Sequence, residues 1–180
     1  MKSKRLNIGC GKNARKDCIN LDTVKLPGVE VVHNLDKYPW PFKDNTFEEV
    51  YCFSVLEHLN DIIKPLEEIH RISKNKAKII ISVPIASGVG AFADPTHKVF
   101  YEYTSFDYFK PDNYLNYYSK ARFNIIKRKL VFYRWLGLFT WFFNLSGFLQ
   151  RVHTIFIAPI LPAYSLEVEL ENVKEILKNK

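Results

Sequence analysis

Two glycines one residue apart, Gly9 and Gly11 in "LNIGCGK", follow a short apolar run, and an aspartate closes each of two later strand-like segments, Asp22 in "INLD" and Asp36 in "HNLD". Glycine adopts backbone angles that other residues avoid and lets the main chain approach a ligand closely. A dinucleotide loop would read G-x-G-x-x-G, open a helix whose N-terminus faces a pyrophosphate, and be followed by an acid about 20 residues on. Here the third position is Ala14, which that pattern tolerates, but Asp22 comes much sooner. The linker "KNARKD" is also too short for a full crossover helix. An adenosine ligand without phosphates suits these residues better. Asp22 can accept from both ribose hydroxyls, Gly9 and Gly11 admit a compact amino-acid tail, and Asp36 can accept from an adenine amino group.

Such residues need a frame that gathers strand ends. Four segments rich in β-branched and aromatic residues read as strands, "RLNIG", "CINLD", "VEVVHNL" and "FEEVYCFSV". A fifth, "AKIIISVP", is a continuous apolar run suited to a strand covered on both faces. Between the last two, Ile62, Ile63, Leu66, Ile69 and Ile72 recur at helical spacing, with Asn60 or Asp61 as cap and Pro65 in the first turn. Strand, helix, strand of this polarity predicts the leading half of a doubly wound α/β sheet, whose ligands sit beyond the carboxyl ends of the strands. The first crossover helix is expected to be reduced or absent. Later, "FNIIKRKLVFY" reads as a sixth strand, and "SLEVELENV" alternates Leu166, Val168 and Leu170 with glutamates, as in an antiparallel strand with one wet face. The expected architecture is a Rossmann-like, mostly parallel seven-stranded sheet with one antiparallel strand near the C-terminus.

A length of 180 residues supports one sizeable core, and residues 1–180 are read as a single domain. The net charge of +7 favours anionic partners without choosing among them. Cys10, Cys18 and Cys52 show no C-x-x-C spacing, so neither a disulfide framework nor a zinc site is indicated and a reducing cytoplasm is the simpler setting. The start lacks the apolar stretch of a signal peptide, and the charge-free run from Trp135 to Gln150 is shorter than a spanning helix. The surrounding segment, about 134–160, is expected as an apolar helical insert before the last strand. Drawn as a helix, it has one narrow polar stripe of Gly137, Thr140, Asn144, Gly147 and Arg151. A lid over the sheet or a dimer surface would cover its wide apolar face. Because Lys127, Arg128, Lys129 and Arg134 precede it, an interfacial helix on anionic lipid at the inner face of the membrane is the alternative.

In combination, "LNIGCGK", "INLD", "HNLDKYPWPFKDNTFEEVYCFSVLEHL", "PLEEIHRISK", "IIISVP" and "FADPTHKVFYEYTSFDYF" resemble the small class I S-adenosylmethionine-dependent methyltransferases of the type 11-like pattern, with a DPTH loop. "PAYSLEVELENVK" resembles the closing strand of that family. The resemblance implies S-adenosyl-L-methionine as cofactor, Gly9 and Gly11 at its methionine end, Asp22 at the ribose, Leu35 and Asp36 at the adenine, and Ser54 near the amine. Asn7 stands where an acid is common, and "KNKA" replaces the usual turn before the fifth strand.

Methyl transfer is an in-line displacement, so positioning of the acceptor is most of what an enzyme contributes. A hydroxyl acceptor must also lose its proton, and a nearby imidazole or carboxylate that takes it gives about 10²- to 10⁴-fold. His97 of "DPTHK" is the expected base, with Asp94 orienting it or holding the acceptor. The same two residues also read as a turn start before Pro95 and a ring stacked in a loop. His58 reads as a helix-start residue and His70 as structural, on the solvent side of its helix. His58, Asp94 and His97 lack metal-ligand spacing, so no metal is expected. The aromatic segment "FYEYTSFDYF" suits a sugar ring or an isoprenoid chain, which makes O-methylation of a glycan or lipid-linked glycan the expected activity. The rival reading is a catalytically silent accessory protein that binds membrane or partner through the apolar segment. Nucleic acid is disfavoured as a partner because no recognisable module for it is present.

Overall fold

The most apolar segments of the chain become the middle of one sheet. The computed structural model describes residues 4–174. Its strands are β1 (Arg5–Ile8), β2 (Ile19–Asp22), β3 (Val31–Val32), β4 (Phe47–Phe53), β5 (Ser73–Pro84), β6 (Phe123–Val131) and β7 (Ser165–Asn172). They lie in the order β3-β2-β1-β4-β5-β7-β6. Strands β1 to β5 pair in parallel, and β7 runs antiparallel between β5 and β6, as the sequence predicts. Leu6, Ile8, Val50, Cys52, Ile79 and Ile81 are fully buried, which is the two-sided covering that continuous apolar strands require. On β7, Leu166, Val168 and Leu170 face the core, while Glu167 and Glu169 pair with Lys129 and Lys78 on its other face.

The helices are α1 (Ile63–Ile72), α2 (Gly90–Ala93), α3 (Gly137–Phe143) and α4 (Gly147–Val152), with short 3-10 turns between strands. Asp61 starts α1 by accepting from the backbone N–H groups of Ile63 (2.7 Å) and Lys64 (3.0 Å). Leu66, Ile69 and Ile72 bury its inner face. The helix runs straight into β5. The "KNKA" segment, which replaces the turn that the family resemblance puts before the fifth strand, lies inside that strand as an irregularity, with Lys76 at φ 61° where the β4–β5 register shifts. His70 is not on the solvent side: its Nε2 meets the Val173 carbonyl at 3.1 Å and its ring stands edge-on to Phe123.

No helix lies between β1 and β2 among the described residues, which bears on the loop at the head of β1. Asn7 and Asn20 face each other across these strands, both buried, and Asn7 Nδ2 donates to Asn20 Oδ1 at 3.0 Å and to the Asn13 carbonyl at 3.1 Å. Asn20 in turn accepts from the Arg15 N–H and donates to the Arg15 carbonyl. The helix-less connection is thus tied to the sheet by side-chain amides.

The apolar segment is not one helix. A 3-10 turn at Arg134–Leu136, α3, α4 and a π-type turn at His153–Ile157 follow one another. Two residues of its polar stripe face inward, while Gly137, Gly147 and Arg151 are exposed: the Asn144 side chain accepts from the N–H of Leu130 and donates to its carbonyl on β6, and Thr140 Oγ1 accepts from the Phe132 N–H. Ser146 then caps α4 through the Leu149 N–H. With the polar side held against the sheet, the apolar side points outward.

The loop carrying Trp40 depends on one charge network. Glu68 Oε2 accepts from the Trp40 N–H at 2.6 Å and pairs with Arg71 at 2.7 Å, and Arg71 reaches the Trp40 and Phe42 carbonyls. Glu68→Ala leaves the Trp40 N–H and part of the guanidinium unmatched. The expected loss is about 2 kcal/mol, between the values for exposed and buried pairs, read as a lowered urea midpoint.

Candidate functional site

At the carboxyl ends of β1, β2 and β4, a cavity of about 340 Å³ is lined by Gly9, Asp22, Leu35, Asp36 and Ser54, together with Asn34 and Val55. Five of the six residues expected to meet the cofactor therefore share one cavity. The sixth, Gly11, joins it indirectly, since its N–H donates to Asp22 Oδ2 at 2.7 Å. Gly9 sits at φ +59°, and a Cβ there would lie 2.3 Å from a Val55 methyl. Both the backbone angle and the approach of the loop to the end of β4 demand glycine. Gly11 has φ +51° with open space around it.

The two aspartates are partly engaged. Asp22 Oδ1 accepts from the Val24 N–H at 3.0 Å, which leaves further lone pairs on both oxygens. Asp36 is gripped by Asn60, through its N–H at 2.9 Å and its side-chain amide at 2.7 Å. The Trp40 indole donates to the Leu35 carbonyl, fixing that residue beside the cavity. Asn7 points away from a ligand role into its bonds with Asn13 and Asn20.

A second cavity, about 640 Å³, adjoins the first through Ser54 and His58, which line both. Its other walls include Glu57, Asp94, His97, Tyr133 and Tyr164. The DPTH loop is braced: Asp94 Oδ1 accepts from the Thr96 N–H and hydroxyl, and Asp94 is held below the usual carboxylate range by these bonds. His97 Nδ1 lies 2.8 Å from the Ala91 carbonyl, so it carries the proton and leaves the Nε2 lone pair free, 3.9 Å from Asp94 Oδ2. His58, expected as a helix-start residue, instead closes a 3-10 turn, Leu56–His58, and stands edge-on against His97.

The aromatic segment expected around an acceptor mostly serves the core instead. Tyr101, Tyr103, Phe106 and Phe109 are buried, and Phe100, stacked on Phe92, is exposed. The aromatic residues that do line the second cavity are Tyr133 and Tyr164. These were not singled out from sequence, although they bracket the apolar segment, at the end of β6 and the start of β7. A separate cleft at the opposite strand ends, between Arg5, Asp17, Glu48 and Lys78, is crossed by ion pairs such as Arg5–Glu49 and is a salt-bridged surface.

A family model for a methyltransferase domain matches residues 11–81. The fold is similar to that of an Archaeoglobus fulgidus S-adenosylmethionine-dependent methyltransferase, at TM-score 0.64 and 15% identity over 94% of this chain and 86% of that one. The fold is thus that of the class I S-adenosylmethionine-dependent methyltransferases. A Mesorhizobium loti S-adenosylmethionine-dependent methyltransferase is also similar, at TM-score 0.58 and 10% identity over 94% of this chain and 91% of that one. A Haemonchus contortus phosphoethanolamine N-methyltransferase in complex with S-adenosyl-L-methionine superposes at TM-score 0.61 and 14% identity, over 97% of this chain and 50% of that one. An uncharacterized Methanocaldococcus jannaschii protein is 60% identical over 43 residues, which span 24% of this chain and 19% of that protein's length. The glycine cradle beside Val55, the free lone pairs of Asp22 and a cavity of small-molecule size fit S-adenosyl-L-methionine, the molecule held by the Haemonchus contortus enzyme.

Two measurements probe this geometry. Gly9→Ala is expected to cost more stability than Gly11→Ala, whose penalty is the left-handed backbone alone, about 1–2 kcal/mol, and thermal unfolding of both variants checks the order. Burial raises the Glu57 carboxyl above the ordinary glutamate range, with the nearby His97 charge opposing and Asp94 adding to it. The folded state then holds that proton more tightly than the unfolded chain, so stability falls as pH rises from the ordinary glutamate range toward the folded value. Glu57→Gln, in metal-free buffer, is expected to melt above the wild type at neutral pH and close to it near the acid end of that window.

Proposed function

We propose that the protein O-methylates a hydroxyl of a glycan or lipid-linked glycan, working at the cytoplasmic face of a membrane. The observation that carries this reading is the pair of adjoining cavities, one walled by Asp22, Asp36 and the glycine loop, the other by His97, Asp94, Tyr133 and Tyr164, with Ser54 and His58 between them. S-adenosyl-L-methionine supplies the methyl group and leaves as S-adenosylhomocysteine. Asp22 holds the ribose hydroxyls, Leu35 and Asp36 the adenine end, Gly9 and Gly11 the methionine end, and Ser54 the region nearest the acceptor. His97 Nε2 takes the hydroxyl proton as the acceptor oxygen attacks, and Asp94 stabilises the imidazolium that results. Tyr133 and Tyr164 offer ring faces to a sugar.

The lipid-linked acceptor and the membrane setting rest on the apolar segment. Trp135, Leu138 and Ile160 are 80%, 82% and 88% exposed, and Trp141, Phe148, Ile155 and Phe156 are exposed beside them. No acidic residue occurs between Val131 and Ser165, whereas Arg134 and Arg151 are exposed there. Outward apolar side chains with tryptophans and a purely cationic rim match an anionic lipid interface. Among the described residues no helix is long and apolar enough to cross a membrane. The buried free cysteines suit a reducing compartment.

The test is calorimetric titration with S-adenosylhomocysteine, followed by transfer assays on soluble and lipid-linked sugars with and without vesicles of anionic phospholipid. Asp22→Ala is expected to weaken cofactor binding at least tenfold, and His97→Ala to slow transfer by about 10²-fold or more without that loss. Sedimentation with the vesicles at low salt is expected, and it should be lost in Trp135→Asp/Trp141→Asp. Cofactor binding without transfer to any sugar, together with unchanged sedimentation, would support the silent accessory protein instead.

A further inference from the structure

We propose that Glu57, His58 and His97 form a site for a divalent first-row cation such as Zn²⁺ in the acceptor cavity. Each offers one ligand atom, and these atoms lie within 4.8 Å of one another. Two imidazoles and one carboxylate are a donor set of borderline softness that suits zinc, manganese or iron better than calcium or magnesium, and it leaves coordination positions open for acceptor oxygens.

Three independent features make this a built site. Glu57 is 1% exposed, lines the cavity, and neither of its carboxylate oxygens has a hydrogen-bond partner. An unpartnered buried carboxylate is costly, and a cation would relieve it. The histidines, moreover, are held as metal-binding imidazoles usually are, with the distal ring nitrogen bound to an oxygen. The Thr96 hydroxyl spends its proton on Asp94, so its 2.9 Å contact with His58 Nδ1 is accepted from an N–H, and His97 Nδ1–H is bound to the Ala91 carbonyl. Nε2 is then the free donor of both rings. Finally, the two chain segments are locked together, because the Glu57 carbonyl accepts from the N–H groups of Lys98 (2.8 Å) and Val99 (3.1 Å) beside His97.

The cation would hold the acceptor oxygen and lower the pKa of its hydroxyl, whose proton leaves to water at the cavity mouth. His97 is then a ligand in place of the proton acceptor named above. This use of the site rests on the methyl-transfer reading, but the binding of the cation does not.

The experiment titrates the chelator-stripped full chain with ZnCl₂ by calorimetry and counts bound metal by mass spectrometry. One zinc per chain is expected, with binding lost in Glu57→Gln and His97→Ala and unchanged in His33→Ala. Thr96→Val removes an exposed hydroxyl that orients His58, so it should fold normally and bind zinc about 10- to 100-fold more weakly. Absence of stoichiometric zinc, or equal affinity in wild type, Glu57→Gln and Thr96→Val, overturns the site. S-adenosylhomocysteine titrated in parallel separates the two ideas. Zinc bound without the nucleoside sinks the methyl-transfer reading alone, and transfer at an unchanged rate after chelation sinks the catalytic use of the cation alone.

Discussion

The architecture of the cavity at the strand ends depends on a pair of buried side-chain amides. In a doubly wound sheet the helix after β1 normally covers the first strands and sets the loop at their ends. Here Asn7 and Asn20 take over part of that work, one bonded to the other and both reaching into residues 13–15. A buried amide is stable only when its donors and acceptors are matched, and these are matched by the loop itself. The loop therefore cannot drift without unpairing them. Its fixed position brings Gly11 to Asp22 and Gly9 against Val55, which shapes the cavity wall.

From that wall the site extends along the sheet edge. Ser54, at positive φ directly after β4, and His58, one 3-10 turn later, line both cavities and so form the wall they share. The DPTH loop closes the far side with a chain of bonds from His58 through Thr96 to Asp94. Glu57 stands behind this chain as a carboxylate with no partner, and buried polar atoms of that kind are rare enough in folded proteins to need a physical reason.

Much of the frame was legible in the residues. Continuous apolar runs, the Asp61 cap and the alternation of β7 each report a local constraint that survives tertiary packing. Gly9 and Asp22 reached the cavity because strand ends are where such a sheet gathers its ligands, and Asp36 reached it from the loop after β3, which ends at Val32 rather than running on to the aspartate. What failed to show were the features set by distant partners. The "FYEYTSFDYF" aromatics carry no mark that separates core from cavity, and most of them fill the core. Tyr133 and Tyr164 meet only because the chain leaves the sheet after β6 and returns at β7, with ring centroids 5.1 Å apart. The apolar segment, read as one helix with a polar stripe, is a series of short helices and turns, and Thr140 and Asn144 of that stripe face β6, where Leu130 and Phe132 offer them main-chain groups. The role of Glu57 beside His58 was likewise hidden, since burial without a partner is a property of three dimensions.

The inward stripe has one more effect. An outermost strand normally displays a row of open donors and acceptors on which another chain can polymerise. At the C-terminal end of β6 that row is occupied, with Asn144 on Leu130 and Gln150 on the Arg128 carbonyl, and Thr140 on Phe132 just past the strand, while the opposite margin of the sheet is the two-residue β3. Beside the greasy surface, that end of the strand is thereby denied to the ladder that would turn chance encounters into fibres. Self-association there is left to side-chain contacts, which can be reversed.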